Sequence, residues 1–257
     1  MNELAQLLGV TGDILFVSFL IFLRTAPVIM LFPGLGESYV PARFRLFIAL
    51  LFTVFLTPAL APRFEALLGT SPALGWLVLS ETTIGVIIGI GARLLLLALQ
   101  TSGSIAAQAT SLALILGNSG ITPMPAIGHL LVIGGLALAM TLDLHVALAE
   151  TLIVTYDLLP ISQFPPASDV TTWGIRHVAG TFALAFSLAA PFLIVSTLYN
   201  VTLGVINRAM PQMMVVFVGA PVITGAGLVL LLLLAPTILS LWVRALGEFI
   251  SNPFGSI

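Results

Sequence analysis

The chain has 257 residues, of which 59% are hydrophobic and only 7% charged, with a formal net charge of −2, and its mean hydropathy is +1.19; such values lie outside the soluble range and mark an integral membrane protein. The eight basic residues are all arginines and form no patch that could neutralise a phosphate backbone, which excludes nucleic-acid binding. The absence of cysteine excludes disulfides and thiolate metal sites and assigns no redox compartment.

A membrane-crossing helix needs roughly 20 apolar residues, and six stretches approach or exceed that length: about 14–33, 44–61, 74–99, 130–159, 177–203 and 213–246. The fold class is therefore all-α: a polytopic membrane protein with about six long hydrophobic helices, read as a single integral domain over 1–257 with no soluble module. The first stretch is read as a retained helix and not a cleaved signal, because Glu3 and Asp13 precede it and Arg24 lies inside it. Pro27, Pro191, Pro221 and Pro236 fall within helices and favour kinks, each removing a backbone donor that neighbours must compensate. Arg43, Arg45 and Arg208, with Arg93 near a helix end, oppose Arg63, Arg176 and Arg244, which favours both termini outside the cytoplasm. No internal repeat of the kind carriers use is visible.

On the third stretch, Glu81, Gly85, Gly89 and Arg93 recur every four residues and form one drifting stripe. Glu81 and Arg93 lie about 18 Å apart at helical rise and cannot pair with each other. Gly85-x-x-x-Gly89 lets another backbone come close, so the stripe reads either as a seam whose end charges meet partners on other helices or as an ordinary packing seam within the chain. A connection over 100–128 follows, with a second small ridge of Gly103, Ala107 and Ser111 beside Gln100, Ser104 and Gln108. Its later part, Ala113–Pro125, is too dense in turn residues for a regular element. Leu116, Gly117, Asn118, Ser119, Gly120, Ile121, Thr122 and Pro123 thus form either a segment occupying a pore or a surface connection.

Gly117-Asn118-Ser119-Gly120 also matches the short string of rhomboid-type intramembrane serine proteases. A nucleophile there needs a helix start and a histidine packed against it, whereas Thr122, Pro123 and Pro125 follow at once. On the fourth stretch Asp143, Glu150 and Asp157 fall at intervals of seven residues with His145 nearby. The set reads as a proton relay for a small-solute transporter, or as the emerging end of a helix longer than the bilayer, with Asp143 and His145 a structural pair. Neither a His-Glu-x-x-His signature nor a Gly-rich phosphate loop occurs, and another long connection spans 160–176. Toward the C-terminus, Asn200, Asn207, Arg208 and Gln212 cluster between two apolar runs, where such groups are costly beside hydrocarbon.

Several landmarks occur in one order along the chain: Pro33, Gly34, Gly36, Glu37, Pro41 and Arg43; Gly103-x-Ile105-Ala106-x-Gln108; Asp143-x-His145, then Tyr156 and Leu159-Pro160. They continue with Ala190-Pro191, Asn200, Gly204, Arg208, Pro211-Gln212, Val215, Phe217, Gly219 and Pro221. This ordered set resembles the FliR family of export-gate subunits of bacterial flagella, with injectisome homologues. Where the family often has an acid, an asparagine and an aromatic, this chain has Asn200, Met214 and Ala220, and it lacks an Asp-Pro pair in the segment holding Asn118.

The resemblance implies a non-enzymatic subunit, without a cofactor, that assembles with several FliP-type and FliQ-type proteins into a helical gate in the bacterial inner membrane at the flagellar basal body. Unfolded flagellar export substrates pass through that gate, and a FlhB-type switch protein contacts it. It implies too that the six stretches are helices lifted partly out of the bilayer in the assembled complex. In family terms Leu116–Pro123 is similar to the plug of the closed pore, and the segment around Arg208 to the cytoplasmic turn of a helical hairpin. The packing and subunit-interface set is then Glu81, Gly85, Gly89, Arg93, Gly103, Gln108, Asn200, Gly204, Arg208, Pro211, Gln212, Gly219 and Pro221.

Overall fold

The computed structural model describes residues 2–64, 73–110, 126–210 and 215–255, and among them every regular element is helical. In chain order these are α1 (Asn2–Leu31), α2 (Ala42–Leu60) continued by a 3-10 turn (Ala61–Phe64), α3 (Leu74–Thr110), α4 (Ala126–Thr141), α5 (Leu144–Leu158), α6 (Ala167–Ala209) and α7 (Val215–Ser251). Among the described residues five helices are long and apolar enough to cross a membrane, or six when α4 and α5 count as one bent span. The predicted all-α class and the count of long apolar segments therefore hold.

Helix α1 starts at Asn2 and not near residue 14, and three further boundaries depart from hydropathy. Helix α3 runs on to Thr110, so Gln100, Gly103, Ser104, Ala107 and Gln108 are helical and do not belong to the predicted connection. A propensity penalty of about 1 kcal/mol for a helical glycine is small beside the packing it permits. Helix α6 begins at Ala167, well inside the predicted 160–176 connection. Its start is written in polar residues that an apolar count passes over: the Pro166 carbonyl accepts from the Asp169 and Val170 amides at 3.0 and 3.1 Å, and Asp169 in the first turn suits the positive helix end.

The third departure corrects the single helix predicted over 130–159. The chain breaks between α4 and α5, where Asp143 adopts a left-handed backbone with φ 56° and ψ 36°. Aspartate tolerates that conformation better than most residues. Its carbonyl then opens α5 by accepting from the Val146 and Ala147 amides at 2.9 and 3.1 Å. With Asp143 outside α5, only Glu150 and Asp157 keep the helical spacing of the predicted ladder. Asp157 pairs with Arg63 at 2.9 Å on an exposed surface, while Asp143 and His145 are both exposed and make no ion pair with each other.

Helices so apolar must satisfy their polar side chains internally. Threonines do this by donating to the carbonyl four residues back: Thr53 to Ala49, Thr57 to Thr53, Thr110 to Ala106 and Thr181 to His177, all at 2.7–2.8 Å. The hydroxyl is thereby paired without recruiting another helix.

The chain divides into two compact units, one of Met1–Arg93, Met140–Arg176 and Leu246–Ile257, the other of Leu94–Ala139 and His177–Ala245. In the first, Leu20, Ile21, Ile29, Leu56, Leu60, Phe64, Leu77 and Ile84 form a fully buried core. Thr151 Oγ1 donates to the Ile250 carbonyl at 2.7 Å and Trp173 Nε1 to the Pro253 carbonyl at 2.8 Å, seating the end of the chain on α5 and the start of α6. In the second, Trp242 is the largest fully buried side chain. Its indole N–H donates to the Leu95 carbonyl at 2.8 Å, so the large apolar ring is buried without stranding its donor. Outward faces stay apolar, with Phe44, Phe47, Leu51 and Phe55 exposed on α2 and Phe182, Phe186, Ile194 and Leu198 on α6. So much exposed apolar surface requires lipid or other protein chains against it.

Candidate functional site

The stripe on α3 lies against α1 and the loop that follows it, within the first unit. A Cβ on Gly85 would collide with the carbonyl of Arg24, and one on Gly89 would meet the Leu31 side chain at 2.9 Å and the Pro27 carbonyl at 3.1 Å. Both glycines are thus filled by the chain's own helix, the closest approach falling where only a hydrogen atom fits. The loop is itself tight, with Gly34 at a positive φ of 85°.

Charges close both ends of this seam. Glu81 and Arg24 are each 0% exposed and pair at 2.8 Å, and Arg93 donates to Glu37 at 2.5 Å. The Arg24 guanidinium is satisfied on every side. Its Nε reaches Glu81 Oε2, its Nη1 the Thr155 carbonyl at 3.2 Å and its Nη2 the Leu159 carbonyl at 3.1 Å. The cation also lies 3.8 Å from the centroid of the Tyr156 ring, adding a desolvated cation–π contact. The second Glu81 oxygen accepts from the Ser162 amide at 3.3 Å. The carbonyls that Arg24 takes belong to the last turn of α5 and the residue capping it, where helix carbonyls lack partners and carry negative partial charge.

Two buried charges would be untenable singly; together, with five hydrogen-bond and ring contacts shared, they tie α1, α3 and the end of α5 into one rigid corner. Ser162 in this corner has a positive φ of 68°. Its amide is held by Glu81 and its carbonyl by the Trp76 indole at 2.9 Å, so the surroundings over-determine a conformation that costs energy in isolation. Sequence reasoning found Glu81 and Arg93 but not their partners. An arginine inside the first apolar run was itself the available signal for Arg24.

In the second unit, Gly103 faces Gly128 backbone to backbone: a Cβ on Gly103 would fall on the Gly128 Cα. Gln108 is exposed. Gly219 is buried under the Tyr199 hydroxyl and Leu203, which sets the start of α7 against α6. Asn200 is exposed, with its amide 3.4 Å from Ser196 Oγ; Gly204, Arg208 and Pro221 are exposed as well. Pro211, Gln212 and the whole Leu116–Pro123 segment lie outside the described residues.

Residues 15–249 match the family described as bacterial export proteins, family 1. The chain belongs to this family. Its relatives include the "Flagellar biosynthetic protein FliR" of Caulobacter vibrioides, 31% identical over 237 residues covering 91% of this chain and 94% of that protein. The protein of the same name from Escherichia coli K12 is 28% identical over 84% of this chain and 83% of its own length, and that of Bacillus subtilis 24% over 85% and 86%. Within this FliR family member, the landmarks Glu37, Tyr156 and Leu159 turn out to be contacts of the buried charges.

Proposed function

We infer that the chain is a pore-forming and assembly subunit of the flagellar protein export gate. The observation that carries this is the family match across nearly the whole chain, joined to five or six helices long and apolar enough for a membrane. A membrane protein of a multi-subunit export apparatus follows from it. The finer reading is ours: partners of the FliP and FliQ types, contact with a FlhB-type switch, residence in the inner membrane at the basal body, and passage of unfolded substrates.

Helix length supports assembly into a larger body. The 43 residues of α6 extend about 65 Å at helical rise, roughly twice the hydrocarbon thickness, so much of that helix must tilt or lie beyond the bilayer against protein. The seam around Gly85 and Gly89 then builds the subunit itself, while exposed Asn200, Gly204 and Arg208 remain available to neighbours. The transporter and protease alternatives gain no support: Asp143, Glu150 and Asp157 are exposed, and Asp157 is taken by Arg63.

The test is biochemical. Extracted in mild detergent, the chain should be recovered intact only with its FliP-type and FliQ-type partners, and deleting its gene should abolish secretion of flagellar subunits. A stable monodisperse monomer that moves a small solute across liposomes would sink the proposal. The Leu116–Pro123 segment is proposed as the plug of the closed pore. Deleting Gly117–Thr122 should then make membranes that contain the assembled complex leaky to ions; tight membranes would remove the plug from the mechanism.

A further inference from the structure

In the first unit, where α5 ends and α6 begins, a cleft of about 300 Å³ opens between Ile87, Leu158, Pro166, Val170, Trp173 and Phe254. Asp169 supplies the charged group on its otherwise apolar wall. Its carboxylate accepts from Ser168 Oγ at 3.0 Å, which orients it and leaves oxygen lone pairs unused. The wall is braced by the Trp173 indole on the Pro253 carbonyl and by Arg24 on the Leu159 carbonyl.

The surroundings have the character of a hydrocarbon–water boundary. Trp76 anchors its N–H on the Ser162 carbonyl, stacks edge-on with Phe164 at 4.8 Å and stays half exposed. Arg63 and Asp157 form an exposed ion pair near the end of α5. Half-exposed tryptophans such as Trp76 concentrate at the level of lipid headgroups. At about 300 Å³ the cleft has the size of a small ligand pocket. A lone carboxylate beside such a volume is complementary to a molecule with an apolar chain and a cationic hydrogen-bond donor.

We propose that this cleft binds a phospholipid whose headgroup carries a primary amine, with its acyl chain against Trp173 and Phe254 and its ammonium on Asp169. The proposal requires the chain in a membrane but not its part in export, so failure of one leaves the other standing. The test uses the co-purified complex in vesicles doped with phosphatidylethanolamine or phosphatidylcholine carrying an acyl-chain diazirine, and maps photo-crosslinks on this chain by mass spectrometry. Peptides holding Trp173 and Phe254 should be labelled at least threefold more by the primary-amine probe, whereas the exposed α2 face around Phe47 and Phe55 should be labelled equally by both. Asp169→Asn should erase the threefold preference and Asp169→Glu should keep it. Equal labelling by the two headgroups, a preference that survives Asp169→Asn or is lost in Asp169→Glu, or a cleft unlabelled while α2 is labelled because protein covers it, would each overturn the proposal.

Discussion

Replacing Arg24 by methionine is expected to destabilise the protein by about 3–5 kcal/mol, because Glu81 would be left charged, buried and unpaired. The pair lies at 0% exposure, out of reach of water, and the remaining Glu81 oxygen already accepts from Ser162. Arg24→Lys should lose most of the same stability. A guanidinium serves the Glu81 carboxylate and two carbonyls in one plane while its face rests on Tyr156, and an ammonium on a flexible stem cannot reproduce that geometry. The double replacement Arg24→Met with Glu81→Met should recover much of the loss, because two apolar chains of similar size remove the desolvation cost. Full recovery is not expected: the Leu159 carbonyl and Ser162 amide lose partners worth about 1 kcal/mol each. The measurement is the thermal midpoint of the co-purified complex together with the amount of chain retained in membranes. A harmless Arg24→Met, or a double variant as damaged as the single one, would remove the buried pair from its structural role.

The second large effect separates two glycines that touch each other. Gly103→Ala should cost about 1–3 kcal/mol, since the added methyl meets the backbone of Gly128 and no side chain can rotate away. Gly128→Ala should be neutral or stabilising by up to about 1 kcal/mol. Its Cβ would lie 3.5 Å from the Gly103 carbonyl carbon and 3.6 Å from the Ser104 amide, ordinary contact distances, and alanine is the better helix former. The contrast is a control on itself, because both residues occupy the same helix crossing. Equal tolerance of the two substitutions, read from the same thermal midpoint, would show that α3 and α4 do not approach as closely as described.

Part of the site was legible in the residues alone. The four-residue recurrence of Glu81, Gly85, Gly89 and Arg93 marks a face for close packing with charges that need partners, because helical periodicity is local and survives in one sequence. The partners were not legible, since Arg24 lies 57 residues from Glu81 and Glu37 lies 56 from Arg93. Helix ends written in polar residues were also missed. Gln100 to Gln108 and Ala167 to Arg176 lower the local hydropathy and look like connections, yet neighbours pack on them as helix.

The membrane class, the all-α architecture and the number of long apolar helices were determined by the sequence itself. Each follows from composition over about 20 consecutive residues and from the need to pair every backbone group in lipid. The break at Asp143, the filling of Gly85, Gly89 and Gly103 and the pairing of each buried charge were decided only by the tertiary structure. These depend on which distant segments come together, and close packing of side chains from remote helices leaves no periodic trace in any one of them.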